Sequence, residues 1–355
     1  MLEDLTPAAV TTVGSMPGTS SFEAVSLVVG ELSEGDGVPH LPELPARGPG
    51  ADMVGRTAGL LASVVPDLAV ETTAAGWRFA DAPGREMRRA RSWLAEDLDA
   101  FEEALDGFDG WVASSLVGPW TLAAAIELRI GERAVKDRGA SRDLAGALAH
   151  AATDHLAELR RRVPGARLML WIDEPALPAV LEGSLPTQSG RGRYAAVEQP
   201  VAETALAAVV EAIQGAGAAA VLHCCTERPP LELLRRTGAD ALSVDLLLHD
   251  QRDDDELGEL MQAGRLLVAG VVPGTGPAGA SPASEVGDTV GHVTALGHRL
   301  GLAPEDLARS VLVSPTCGMA GATPAAARRA LAVLRGAGRA LRQDDPVTVA
   351  VDEER

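Results

Sequence analysis

Short runs of apolar, largely β-branched residues recur along the whole chain, and segments with helical spacing lie between them. Eight such runs stand out: Ala9–Gly14, Leu68–Thr72, Trp111–Val117, Arg167–Asp173, Ala219–Cys224, Ala241–Asp245, Leu266–Val272 and Ser310–Ser314. Nearly all are continuous rather than alternating, the pattern expected of parallel strands covered on both faces. Between them, Leu94–Leu105, Ala140–Arg162, Ala202–Gly215, Pro229–Thr237 and Thr323–Leu341 are rich in Ala, Leu, Glu and Arg at helical spacing. Alternating strands and helices, with eight strands, predict an α/β fold of the (β/α)8 barrel type. An open doubly wound sheet is the alternative. Against it, the first strand–helix turn reads Gly14-Ser15-Met16-Pro17-Gly18 and carries no dinucleotide-binding glycine fingerprint.

A chain of 355 residues fits one large barrel, and no composition break marks a linker, so a single domain over 1–355 is expected. The Pro- and Gly-rich stretch Gly35–Gly55 reads as a long ordered loop. The acidic tail Gln343–Arg355 reads as frayed, with a short extra strand at Val347–Val351.

Charge narrows the function classes. Asp+Glu number 50 against 31 Lys+Arg, a formal net charge of −19, and Lys136 is the single lysine. Such a surface repels phosphate backbones and anionic lipid, so neither nucleic acid nor membrane is expected as a partner. The N-terminus Met1-Leu2-Glu3-Asp4 lacks the basic and apolar regions of a signal peptide. Three cysteines make a poor disulfide framework and fit a reducing cytoplasm.

In a barrel of this kind, chemistry sits at the carboxyl ends of the strands. Ser15, Glu71, Asp173 with Glu174, His223 with Cys225, Asp245 and Cys317 all fall at or just beyond such ends. His223 and Cys225 are two apart, so on an extended chain both face one side and Cys224 the other. One imidazole and two thiolates suit a borderline-soft cation such as Zn2+, with Asp245 as a possible fourth ligand. The competing reading is of ordinary core cysteines and a hydrogen-bonded histidine. In Trp171-Ile172-Asp173-Glu174-Pro175, an acid either caps a helix or faces the mouth, where it could bind an ammonium. Glu71 is either an inward acid or a solvated loop residue. Gly274-Thr275-Gly276-Pro277-Ala278-Gly279 formally matches a phosphate-binding glycine pattern, but Pro277 removes a donor, and a flexible mouth loop is the better reading. Asp250–Glu256 reads as a solvated helix start.

Thr11-Thr12-Val13-Gly14-Ser15-Met16-Pro17, Gly118-Pro119-Trp120-Thr121, Ile172-Asp173-Glu174-Pro175-Ala176-Leu177, His223-Cys224-Cys225 and Ser314-Pro315-Thr316-Cys317-Gly318 follow one another across most of the chain. In this order they resemble the catalytic C-terminal barrel of the cobalamin-independent methionine synthase family, within the superfamily that includes uroporphyrinogen decarboxylase. The resemblance implies a cytoplasmic zinc-dependent methyltransferase that activates a thiol, homocysteine or a relative, for methyl transfer from a folate or corrinoid donor. It implies His223, Cys225, Asp245 and Cys317 as metal ligands, with Asp245 in the place of the family's glutamate. It also implies Ser15, Glu43 and Asp173 as substrate-binding residues, Asp173 being the candidate catalytic carboxylate. Two loops also depart from the family: Val271-Val272-Pro273-Gly274 replaces its Asp-Val-x-Ser, and Met319-Ala320-Gly321-Ala322 replaces a loop that bears Lys or Arg. The full-length family enzyme carries a second, N-terminal barrel that helps bind polyglutamylated folate, and a single barrel is expected here. The rival readings are a zinc hydrolase or lyase on the same barrel and a non-catalytic thiol- or zinc-binding barrel.

Overall fold

The computed structural model describes residues 2, 4–33, 37–275 and 282–342. Its strands are β1 (Val70–Thr73), β2 (Gly76–Phe79), β3 (Trp111–Val117), β4 (Ile126–Glu127), β5 (Arg167–Asp173), β6 (Ala219–Cys224), β7 (Ala241–Asp245), β8 (Leu266–Val272) and β9 (Val311–Pro315). The helices used below are α1 (Ser21–Leu32), α2 (Met53–Val64), α3 (Arg85–Ala104), α4 (Pro119–Ala125), α5 (Arg138–Arg162), α6 (Leu177–Glu182), α7 (Gln199–Gly215), α8 (Leu231–Arg236), α9 (Asp254–Gln262), α10 (Pro282–Leu300), α11 (Pro304–Ser310) and α12 (Pro324–Arg342).

Six strands form one parallel sheet in the order β3, β5, β6, β7, β8, β9. Two extended segments join its edges and complete a ring of eight. Val10 pairs in parallel with Val313 of β9 and with Gly37, while His40 pairs with Ala113 of β3. The backbone bonds follow: Thr11 N–H to Val313 O at 3.0 Å, Val38 N–H to Val10 O at 2.8 Å and Leu41 N–H to Ala113 O at 2.8 Å. The fold is therefore the expected (β/α)8 barrel, with 9–14 as its first stave.

The second stave is a correction. The run Leu68–Thr72 does not supply it: Val70–Thr73 pairs antiparallel with β2 in a separate three-stranded sheet, and Glu71 there is exposed. The stave comes instead from residues 37–43, inside the stretch read as a loop. Pro39 and Pro42 have no N–H to give, so its pairing breaks into isolated bridges and its composition carries no strand signature.

Two apolar clusters follow from the period of two along each strand. Val13, Ala113, Met169, Trp171, Val221 and Leu312 fill the barrel interior. Val112, Leu170, Leu222, Ala269 and Val313 face outward into a larger cluster shared with the helices. In α12, Ala327, Leu331, Leu334 and Leu341 lie along one face and are buried, each leucine contributing roughly 1.5–3 kcal/mol. Thr323 caps that helix by accepting from Ala326 N–H at 3.1 Å. The expected helix start near Asp250 is present as a short turn leading into α9. The tail 343–355, with its expected strand, and the glycine loop beyond Thr275 lie outside the described residues. No described helix is long and apolar enough to cross a membrane.

Candidate metal centre

The carboxyl ends of the staves converge on one mouth. On β6 the alternation Leu222, His223, Cys224 turns His223 inward and leaves Cys224 fully buried in the helix-facing cluster. Cys225 follows at the rim. Cys317 lies just beyond β9, on a turn held by Thr316 N–H to Val272 O and Met319 N–H to Ser15 O, both at 2.8 Å. The nitrogen of His223 and the sulfurs of Cys225 and Cys317 all lie within 4.8 Å of one another.

Each donor is prepared by a neighbour. His223 Nδ1 lies 2.9 Å from the hydroxyl of Ser243, its register partner on β7. The tautomer protonated on Nδ1 leaves the Nε2 lone pair free, and Nε2 is buried without a hydrogen-bond partner. Trp171 packs on the imidazole at 5.9 Å between ring centroids. The Cys225 thiol donates to the Cys317 sulfur across 3.1 Å. That bond is the main cause that pulls the Cys317 thiol down. The shared proton, together with burial, pushes Cys225 up. Two sulfurs and one unpartnered imidazole nitrogen suit a borderline-soft divalent ion.

Asp245 does not join this group. Its carboxylate turns to its own backbone, accepting from Leu247 N–H at 2.9 Å. An aspartate at the start of a turn readily accepts from a local amide. The expected fourth protein donor is therefore not brought to the other three.

The remaining candidates sit beside the trio at the same mouth: Asp173 is the register partner of His223, and the Ser15 carbonyl accepts from Met319 N–H, two residues beyond Cys317. Ser15 and Glu43 pair in parallel, Met16 N–H donating to Glu43 O at 2.8 Å and Glu43 N–H to Gly14 O at 3.1 Å. Gly14 has φ +71°, and a Cβ there would stand 2.3 Å from the Ser115 hydroxyl, so a side chain is excluded on both counts. Glu43 is buried, with Ser115 Oγ at 3.4 Å and Arg56 Nε at 3.9 Å from Oε1. Burial raises its pKa and Arg56 opposes the shift. Asp173 is buried with Oδ1 unpartnered. Burial, followed by the charges of Glu43, Cys317 and Glu174, holds its carboxyl well above the usual carboxylate range.

Glu174 resolves the question of the adjacent acids. It points away from the mouth and caps α4 rather than the helix that follows it in sequence. It accepts from Trp120 N–H at 2.8 Å, Thr121 N–H at 2.9 Å and the Thr121 hydroxyl at 2.7 Å. Burial raises it to about 7 against these bonds. A Cβ on Gly118 would stand 2.3 Å from Glu174 Oε1, which explains Gly118-Pro119-x-Thr121: glycine leaves the room and threonine gives the hydroxyl.

Sequence reasoning missed Ser115, Ser243 and Arg56. The two serines interrupt apolar strands, and Arg56 is buried in α2, so a polar residue inside an apolar pattern was the available signal.

Residues 8–340 match the family described as cobalamin-independent synthase, catalytic domain. No curated protein matches the sequence. Among solved structures, a B12-independent methionine synthase from Shewanella sp. W3-18-1, in complex with selenomethionine, aligns with a TM-score of 0.60 at 13% identity, covering 95% of this chain and 98% of that one. The carboxyl transferase domain of Rhizobium etli pyruvate carboxylase aligns with a TM-score of 0.35 at 12% identity, over 97% of this chain and 52% of that one.

Proposed function

The chain belongs to the family of cobalamin-independent synthase catalytic domains, and from that premise we propose a zinc-dependent methyltransferase that makes homocysteine, or a closely related amino-thiol, nucleophilic for methyl transfer. It is a methionine synthase-like enzyme. The observation that carries the zinc reading is the meeting of His223, Cys225 and Cys317 within 4.8 Å at the barrel mouth.

These three residues would hold the ion, and Asp245, turned to Leu247 N–H, is left out of the set. When bound, zinc supplies a depressed thiol pKa, so that a substrate sulfur is a thiolate at neutral pH rather than a thiol near ~8.5. The protein's own groups do the rest. Ser243 fixes the imidazole orientation. Asp173 and Glu43 take the substrate ammonium, which supplies the counter-charge that Asp173 lacks, while Ser15 stands beside Glu43 for the carboxylate end. Orientation of sulfur against a methyl group contributes several kcal/mol, on the order of 7–11 in favourable cases. Two thiolates weaken the ion as a Lewis acid, which disfavours hydrolysis as the activity.

The methyl donor is a folate or corrinoid. A net charge of −19 with one lysine disfavours a long polyglutamate tail. The test is transfer of a labelled methyl group from methyl-folate or methylcobalamin to homocysteine. Transfer that stops on chelation and returns with zinc supports the reading, and turnover unaffected by chelation contradicts it.

A further inference from the structure

Taking Glu43 as part of the ammonium site, as read above, we propose that Arg56 is a positioning residue for Glu43 and thereby sets how tightly the mouth holds an amino-thiol. Arg56 lies in the first turn of α2, whose cap is Asp52, the acceptor of Gly55 N–H at 3.0 Å. The turn directs Arg56 beneath the second stave, where the residue is only 4% exposed.

One side of its guanidinium is committed. Nη1 donates to Pro42 O and to Asp97 Oδ2, both at 3.0 Å. Asp97 is itself held by Arg47 Nη1 at 2.9 Å and the Ser21 hydroxyl at 2.6 Å, so the clamp is anchored in α1 and α3. The other edge of the planar fork is Nε with Nη2. Nε lies 3.9 Å from Glu43 Oε1, and Nη2, though buried, has no hydrogen-bond partner among the described residues. A guanidinium edge of this kind matches a carboxylate in two-point geometry. Arg56 thus grips the backbone immediately before Glu43 and presents an open edge to its side chain.

Glu43 needs such a neighbour. Its carboxylate also meets the Ser115 hydroxyl at 3.4 Å, and the nearby Asp173 offers no positive charge. A buried carboxylate without a cation becomes a neutral acid, and a neutral acid is a poor partner for an ammonium. Arg56 favours the charged form of Glu43 against the effect of burial and aims its carboxylate, while itself contacting Glu43 rather than the substrate.

The test is calorimetric binding to zinc-loaded protein of two ligands: homocysteine, and 4-sulfanylbutanoate, the same thiol acid without its amino group. Arg56→Gln is expected to weaken homocysteine on the order of tenfold or more and to leave 4-sulfanylbutanoate unchanged. Arg56→Lys, which keeps the charge without the fork, restores part of the loss and serves if the glutamine variant does not fold. In the background of Glu43→Gln, Arg56→Gln should add little. Equal weakening of both ligands, or full additivity with Glu43→Gln, makes Arg56 a strut between helices and overturns the proposal. If Glu43→Gln alone leaves the preference for the amine intact, the reading of Glu43 itself has failed.

Discussion

The Cys225 thiol donates to the sulfur of Cys317 across 3.1 Å, from a strand end 92 residues earlier in the chain. The contact joins β6 to the turn after β9 across the barrel mouth, so it depends on closure of the ring rather than on any local sequence signal. The bond draws the Cys317 thiol down and pushes the Cys225 thiol up.

Asp173 is the acid without a counter-charge. Asp173→Asn keeps the size of the side chain and removes its ability to ionise against a bound ammonium. Homocysteine binding to the zinc-loaded variant should weaken about tenfold to a hundredfold, the range for a hydrogen bond to a charged group. Undiminished affinity by calorimetry would remove Asp173 from the ammonium site.

Asp245→Asn should leave metal stoichiometry at the wild-type level, because its carboxylate serves Leu247 N–H in the turn after β7. Metal analysis after dialysis checks this. Loss of the ion in this variant would show that the carboxylate swings to the metal when one is present.

Gly118→Ala forces a methyl group against Glu174 Oε1 and displaces the cap of α4. The expected cost is about 1–3 kcal/mol in urea unfolding, the usual range for overpacking a filled interior. A neutral result would mean that Glu174 can leave its place without loss.

The buried side chains set opposing pH trends in stability. His40 and His155 are held neutral by burial, each lowered from 6.5 to about 3. Between those values the unfolded chain binds more protons, so their contribution is lost as pH falls from about 6.5 towards 3. Glu174 is raised from 4.5 to about 7, so the folded state binds more protons there, and its contribution is lost as pH rises through that window. His155→Gln should therefore flatten the acid-side fall in thermal midpoint, and Glu174→Gln should steepen it. Parallel slopes in all three proteins would contradict both assignments.

The legible parts of this molecule were those with a period. Strands buried on both faces write continuous apolar runs, which is why β3 and β5 to β9 could be read directly. The spacing of His223 and Cys225 was legible for the same reason, since alternation alone separates Cys224 from them. The second stave was not, because Pro39 and Pro42 suppress both strand composition and ladder bonding. The hairpin at Val70–Thr73 took its place because a short apolar run does not reveal which sheet it joins. Asp245 shares the inward parity of a ligand, but parity does not fix a side-chain torsion, and a neighbouring amide captured it. Ser243 and Arg56 act through contacts between segments far apart in the chain, for which spacing offers no rule.

The most direct measurement is metal content by elemental analysis of the purified protein and of His223→Ala, Cys225→Ser and Cys317→Ser. One zinc per chain in the parent and none in each variant, with thermal unfolding still cooperative, is the predicted result. Stoichiometric zinc retained in His223→Ala or Cys317→Ser would mean that the ion, and the thiol chemistry assigned to it, lies elsewhere.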